Sequence, residues 1–355
     1  MARALQLAQR GLYTTDPNPR VGCVIVKENR IVGEGWHERA GEAHAEIHAL
    51  HAAGEQARGA TAYVTLEPCC HQGRTPPCTV ALIQAGITRV VCAMTDPNPR
   101  VAGQGMAALT AAGLHVESGL MQAQAEALNP GFISRMRRHR PYVRLKLAAS
   151  LDGRTALADG VSQWITGEAA RTDVQSLRAR SSAILTGIGT VRADDPSLTV
   201  RAIDIGRQPL RVVVDSDLRM SATAEMLHLP GATLVVAARE NAAAAHRLVE
   251  AGAEVLLLPG VTGRVDLTAL MQHLATREVN ELMVEAGAGL CGALLAAQLV
   301  DEIVIYYAPH LLGSGAQGMF VLPEMQTMQQ RLALKIQDVR AVGEDWRVTV
   351  RVLTA

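Results

Sequence analysis

A chain of 355 residues with 48% hydrophobic and 19% charged side chains can bury two ordinary domain cores and is too apolar to be disordered. Its 34 Lys and Arg balance its 34 Asp and Glu, which argues against the basic field of a dedicated nucleic-acid or anionic-membrane binder and leaves small molecules as the expected partners. The longest uncharged apolar stretch, Ala286 to Val300, has 15 residues, short of the roughly 20 that span a bilayer, and the arginine-containing start (Arg3, Arg10) does not read as a signal peptide, so a cytoplasmic location is expected.

Along the chain, an amphipathic segment (Ala2 to Gly11) precedes two strand-like runs, Val21 to Lys27 and Arg30 to Trp36, whose short Glu28-Asn29-Arg30 turn predicts antiparallel pairing. A helix is predicted at Ala43 to Ala53, then strand Thr61 to Leu66, helix Thr79 to Ala85 closed by Gly86, strand Arg89 to Met94, and helix Ala107 to Ala112 closed by Gly113. This alternation is the pattern of an α/β layered domain with a largely parallel sheet. The basic run Arg135-Met136-Arg137-Arg138-His139-Arg140-Pro141 interrupts it and reads as a solvated helix end and linker, placing a domain boundary near Arg140, with domains 1–140 and 141–355. Strands then follow at Tyr142 to Leu147, Ala183 to Thr186, Arg211 to Asp215, Thr233 to Ala237, Glu254 to Leu258 and Glu281 to Glu285. The tail, Glu302 to Tyr307, Leu332 to Val342 and Trp346 to Leu353, lacks room for a last crossover helix and predicts an antiparallel edge hairpin.

Of six cysteines, Cys23, Cys92 and Cys291 sit singly in apolar segments and read as small hydrophobes. Cys69, Cys70 and Cys78 cluster downstream of Ala43-His44-Ala45-Glu46. His44, Cys69 and Cys78 supply the three ligands of a catalytic zinc site, in which water at the open fourth position has a pKa near 7. Glu46, two residues from the metal histidine, is the expected proton shuttle between that water and a leaving amine. Residues i and i+2 do not share a helix face, so the two converge only if His44 stands at the helix entry. A structural four-ligand site would draw on Cys70 or His71; His48 and His51 read as packing or surface residues. Asp-Pro-Asn-Pro-Arg-Val occurs twice, from Asp16 and from Asp96. The plainer reading is turn chemistry used twice; the functional one, favoured by the second copy's place at a strand end, makes the displayed amide a substrate contact, Asn18 in the first copy.

In the second half, Gly287-Ala288-Gly289-Leu290-Cys291-Gly292 follows a strand and opens a helix, and the segment Thr186 to Pro196 reads as a second glycine-containing loop at a strand end. The two outline one cleft, although without the acidic partner of a Rossmann fingerprint.

Cys69 and Cys78 are separated by eight residues, where cytidine-type deaminases have two between their cysteines. The run Pro68-Cys69-Cys70-His71-Gln72-Gly73-Arg74-Thr75-Pro76-Pro77-Cys78 resembles the P-C-x-H-x-G-[KR]-T-P-P-C signature of the bifunctional riboflavin-biosynthesis deaminase/reductases. Lys146 to Gly153, Ser162 to Thr166, Gly187 to Leu198 and Val284 to Gly287 look like their reductase half, so the resemblance covers nearly the whole chain. It implies a cytidine-deaminase-like three-layer domain followed by a dihydrofolate-reductase-like domain. It further implies zinc and NADPH as cofactors, deamination of 2,5-diamino-6-ribosylamino-4(3H)-pyrimidinone 5′-phosphate, and reduction of the product's ribosyl group. By the resemblance Ala148, Trp164, Thr190, Asp194, Ser216, Gly287, Ala288, Gly289, Leu290, Cys291, Gly292 and Ala293 line the cofactor. Ser162, Arg178, Leu198, Arg201 and Glu285 line the substrate, with Lys146 facing it, and the guanidinium fork suits a phosphate. A homodimer is the expected assembly. The rival reading, a nucleic-acid-editing zinc deaminase with an RNA-binding second domain, is disfavoured by the zero net charge and by only ten aromatic residues in the chain.

Overall fold

Glu28 and Asn29 adopt positive φ (50° and 59°), the left-handed pair that a tight hairpin turn needs, and so β1 (Gly22–Lys27) returns antiparallel on β2 (Arg30–Trp36). The computed structural model describes residues 1–70 and 76–353, and they form two units, Met1–Arg140 and Pro141–Ala355.

In the first unit α1 (Ala2–Ala8) precedes the hairpin, and α2 (Ala45–Ala53), β3 (Thr61–Val64), α3 (Cys78–Gln84), β4 (Arg89–Cys92), α4 (Gln104–Ala111), β5 (His115–Ser118), α5 (Gln122–Leu128) and α6 (Pro130–Arg138) follow. The sheet order is β2-β1-β3-β4-β5, antiparallel across β1 and parallel from β3 to β5. Cys23 and Ile25 face a core shared with Ala45, Ala49, Leu82 and Leu109 of the helices α2, α3 and α4, while Val24 on the opposite face packs on Ala4 and Leu7 of α1. The result is three layers. A Cβ at Gly33 would stand 2.2 Å from the Ala49 carbonyl and one at Gly35 2.4 Å from the Ala45 carbonyl. These two glycines therefore let the alanine-rich α2 lie directly on β2, which fixes where its first turn begins. The basic run at 135–138 is the last turn of α6, whose Pro130 occupies the first helical position, and Arg135 donates from Nη2 to the Pro17 carbonyl at 3.3 Å.

The second unit runs β6 (Tyr142–Ser150), β7 (Arg154–Ala156), α7 (Glu168–Arg180), β8 (Ala183–Gly187), α8 (Ile188–Asp194), β9 (Leu210–Val214), β10 (Thr233–Ala237), α9 (Ala242–Glu250), β11 (Ala253–Leu257), α10 (Leu267–Thr276), β12 (Glu281–Val284), α11 (Ala288–Ala296), β13 (Glu302–Ala308), β14 (Gln317–Gly318), β15 (Leu334–Val342) and β16 (Asp345–Val352). Nine strands are ordered β11-β10-β9-β8-β12-β6-β13-β16-β15, parallel from β11 to β13 and antiparallel at the final hairpin. One face buries Leu145, Leu282 and Val284 against Leu270 and Leu294 of α10 and α11; the other buries Ile184, Met283 and Tyr306 against Val174 and Leu177 of α7 and Leu248 of α9. The chain lays β8 to β11 outward and then returns to insert β12 between β8 and β6, creating a switch point beside which α/β sheets open a crevice. The segment read from sequence as a loop after Gly187 is the short helix α8.

Candidate active sites

His44 is the N-cap of α2, with extended φ and ψ of −78° and 164°, so its ring leaves the helix axis while Glu46 sits in the first turn. That is the entry geometry that lets residues two apart converge. Cys78 opens α3, and its amide donates to Cys69 Sγ at 3.4 Å, tying the end of the β3 loop to the helix start. His44 Nδ1 lies 3.2 Å from Cys78 Sγ and 3.6 Å from Cys69 Sγ, and the three ligand atoms all fall within 4.8 Å of one another. A tetrahedral zinc with ordinary Zn–N and Zn–S lengths separates such donors by about 3.6 Å, so an imidazole and two thiols in this arrangement fit the ion. The hydrogen bonds from the Cys78 thiol, His44 and the Cys78 amide hold the Cys69 thiol well below its ordinary value, toward the thiolate that ligates metal. Cys70 is part-buried and outside this set, its thiol pushed up by burial. His71 and the 71–75 part of the signature lie outside the described residues.

Glu46 is 3% exposed, and burial raises its carboxyl to about 7, the range in which a carboxylate both accepts and returns a proton. His37, which the sequence reading did not single out, packs edge-on against His44 with ring centroids 5.4 Å apart. Its Nδ1 is 3.1 Å from the Ala43 carbonyl and its Nε2 3.1 Å from the Asn18 amide nitrogen. Burial lowers its pKa, so a neutral ring that donates at Nδ1 and accepts from Asn18 at Nε2 satisfies both contacts. Asn18 is thereby held two hydrogen-bonding steps from the metal histidine. No periodicity marks His37, because it follows β2 and meets the Asn18 turn only in three dimensions.

In the second unit Arg178 on α7 grips Glu285 through Nε and Nη2 at 2.7 and 2.9 Å and donates from Nη1 to the Thr199 carbonyl at 3.0 Å, beside Leu198. Burial opposes ionisation of Glu285, yet Arg178 and Lys146 outweigh it and hold the carboxyl below its ordinary value; Lys146 is itself lowered by burial. Arg201 is exposed, with its backbone amide donating to Gln175 of α7 at 2.9 Å. A cleft of about 670 Å³ lies at the switch point, between Gly187 and Gly189, Ser216, and Gly289, Leu290 and Ala293 of α11. Gly287 caps α11 without a side chain, and neither Gly287 nor Gly289 has any atom within 4 Å of a Cβ position, so the helix start is open to a phosphate. Ala288 is part-buried in the same first turn. Cys291 and Gly292 are not brought to the cleft: Cys291 is fully buried and donates to the Ala286 carbonyl, and a Cβ at Gly292 would meet the Val321 carbonyl at 1.9 Å. Ala148 stands two residues from Lys146 on β6. Thr190 and Asp194 lie on α8, Asp194 accepting from Gln163 at 3.4 Å in the segment that holds Ser162. Trp164 is 72% exposed and stacked by Arg171 at 4.8 Å. Arg219, Arg239 and Arg264 line the far side of the cleft with Asp217, a cationic rim that the sequence did not disclose.

An imidazole–dithiol pocket with a buried carboxylate in a three-layer α/β unit defines a zinc-dependent deaminase, and the second unit is an α/β domain with a cleft of about 670 Å³ at its switch point. Residues 1–94 match the cytidine and deoxycytidylate deaminase zinc-binding region, and residues 141–348 match the RibD C-terminal domain. The chain is 53% identical to the riboflavin biosynthesis protein RibD of Escherichia coli K12 over 97% of this chain and 96% of that protein. Acinetobacter baumannii RibD superposes with a TM-score of 0.91 at 46% identity, covering 99% of this chain and 97% of that one. A Thermotoga maritima diaminohydroxyphosphoribosylaminopyrimidine deaminase/5-amino-6-(5-phosphoribosylamino)uracil reductase superposes at 0.87 with 32% identity, covering 99% and 97%. The chain belongs to the RibD family, the bifunctional deaminase/reductases of riboflavin biosynthesis.

Proposed function

We propose that residues 1–140 deaminate 2,5-diamino-6-ribosylamino-4(3H)-pyrimidinone 5′-phosphate and that residues 141–355 reduce the ribosyl group of the product to ribityl. The observation that carries the first step is the convergence of His44, Cys69 and Cys78 within 4.8 Å, with Glu46 buried in the same helix turn as His44. Zinc, when bound, supplies the Lewis acidity that makes a water nucleophilic near neutral pH. Glu46 takes the proton released from water and delivers it to the departing amine, so that water and the ring C–NH2 become a ring carbonyl and ammonia. Asn18, fixed by His37, orients the pyrimidine.

For the second step NADPH supplies the reducing equivalents. The open start of α11 at Gly287 and Gly289 would hold its pyrophosphate, and Ser216 and the Arg239 rim, with Arg219 and Arg264, would meet its adenosine 2′-phosphate. Glu285, held ionised by Arg178, orients the sugar together with Lys146, and the exposed Arg201 guanidinium meets the substrate phosphate. Cys291 and Gly292 shape the helix behind this site. A homodimer belongs to the same reading: the edge strand β15 exposes Leu334, Ile336 and Val339 beside Trp346 of β16, an apolar sheet edge that a second copy would cover. So does a cytoplasmic location, since a thiolate metal site requires reduced cysteines. The test offers the purified protein the diaminopyrimidine phosphate with and without NADPH. Without NADPH, exchange of the ring amino group for a carbonyl oxygen (NH replaced by O, with ammonia released) is expected, and with NADPH a further gain of two hydrogens; an unchanged mass in both arms overturns the reading.

A further inference from the structure

Glu67 stands two residues before Cys69 and is 3% exposed. Its carboxylate accepts four backbone amides. Oε2 takes Asp96 N–H at 3.0 Å and Gly103 N–H at 2.9 Å; Oε1 takes Gly105 N–H at 2.9 Å and Met106 N–H at 3.2 Å. Gly105 and Met106 are the second and third residues of α4, the two donors that an N-cap side chain ordinarily satisfies. The N-cap of α4 is Gly103, at φ 81°, which has no side chain to offer. Glu67 caps the helix in its place, from 36 residues upstream. The contact is close on the backbone side as well, since a Cβ at Gly105 would stand 2.1 Å from the Pro68 carbonyl. The amide of Asp96, caught by the same carboxylate, opens the second Asp-Pro-Asn-Pro turn, in which Asn98 N–H donates to Asp96 Oδ1 at 2.8 Å.

We infer that Glu67 is a positioning residue for the deaminase site: one buried carboxylate locks the Pro68–Cys69 ligand segment, the start of α4 and the Asp96–Arg100 turn into a single rigid body. The helix-capping bonds alone would account for stability; the fourth bond, to Asp96, and the contact of Gly105 on Pro68 extend the clamp to a zinc ligand and to a turn at the end of β4. Substituting Glu67→Gln keeps the volume but turns an NH2 group toward two amide donors, so about half the clamp is lost. This inference rests on the deaminase reading of residues 1–140.

The test uses the full-length, zinc-loaded protein and its Glu67→Gln variant. Transfer of zinc to a colorimetric chelator should quicken roughly tenfold to a hundredfold, the usual effect of losing a group that orients a metal ligand. The visible spectrum of the cobalt-substituted variant should shift, and deaminase KM should rise along with a fall in kcat, while reductase turnover on the deaminated substrate stays unchanged. A purely structural cap would lower the melting temperature and leave the cobalt spectrum and KM in place, and that result overturns the inference. Should Glu67→Gln fail to fold, Gly105→Ala decides, because its methyl group presses on both sides of the clamp, the Pro68 carbonyl at 2.1 Å and the Glu67 carboxylate at 3.2 Å. A folded Gly105→Ala protein with wild-type zinc release overturns the inference, and accelerated release supports it. A wild-type chain that holds zinc without deaminating would sink the deaminase reading, and the zinc-release comparison would still decide the clamp.

Discussion

Replacing Glu285 with alanine removes the counter-charge of two cations at once. Arg178 and Glu285 have side chains only 11% and 14% exposed and meet through two parallel hydrogen bonds; Lys146 is lowered by burial and supported by the same carboxylate. A solvated pair of this kind would be worth about 0 to 1 kcal/mol. Breaking a desolvated one by removing one partner costs about 3 to 5 kcal/mol, because the surviving charge stays buried. Burial decides for the second figure, and the Glu285→Ala unit should lose that much. Urea unfolding followed by fluorescence measures it, with Trp36→Phe as background so that Trp164 and Trp346 report. Arg178→Leu with Glu285→Leu should recover at least about 1 kcal/mol relative to the sum of the singles, since neighbours that share a bond are not additive. The pH dependence has a fixed sign. Glu285 is held below its ordinary value, so its contribution is complete above an unfolded carboxylate pKa of about 4.3 and is lost as pH falls through the depressed folded value. The gap between wild type and Glu285→Ala should therefore be flat from pH 8 to about 5 and close only below about 4. A loss under about 1 kcal/mol with additive singles would refute the argument.

Cys78→Ser should retain less than stoichiometric zinc and lose deamination, by metal analysis and ammonia release; full zinc content with full activity would return the third ligand to Cys70 or His71. Glu46→Gln should keep its zinc yet fall by about 10² to 10⁴-fold in deaminase turnover while reduction of pre-deaminated substrate survives, and joint loss of both activities would contradict a site of its own in residues 1–140. Arg239→Ala should weaken NADPH by a charge-assisted contact worth about 1.5 to 3 kcal/mol and leave NADH unchanged; equal weakening in a fluorescence titration would show that Arg239 does not read the 2′-phosphate.

How much of this was legible in the sequence depended on whether the ends of each interaction are pinned locally. The β1–β2 hairpin was readable because Glu28 and Asn29 fix its turn, and the terminal hairpin because no helix fits between β15 and β16. The zinc constellation was readable because each ligand is tied to a local device: His44 to a helix entry, and Cys78 to the first position of α3, where its amide reaches Cys69. By contrast the pattern of α7 is weak, since its buried stripe is only Ala170, Val174, Leu177 and Ala179 and most of the rest of Glu168–Arg180 is polar. The strand β5 was missed, being four residues long with only Val116 apolar.

What no periodicity could disclose are residues whose partners are brought to them by the sheet. Arg219, Arg239 and Arg264 follow three different strands, β9, β10 and β11, and become one rim only because those strands are parallel and in register, so that each loop leaves from the same edge. Glu67 is the sharper case. Taken alone it is an acidic residue before a proline, and its four amide partners lie 29, 36, 38 and 39 residues on, past α3 and β4. Two signs of its role were nevertheless present in the sequence: a glycine where α4 needs a capping side chain, and a second glycine two residues later where the Pro68 carbonyl must approach. A helix start that lacks its own cap requires a donor-satisfying group from elsewhere in the fold, and in a deaminase sheet the β3 end beside it carries the metal ligand. The carboxylate that satisfies this helix is therefore placed to hold Cys69 as well.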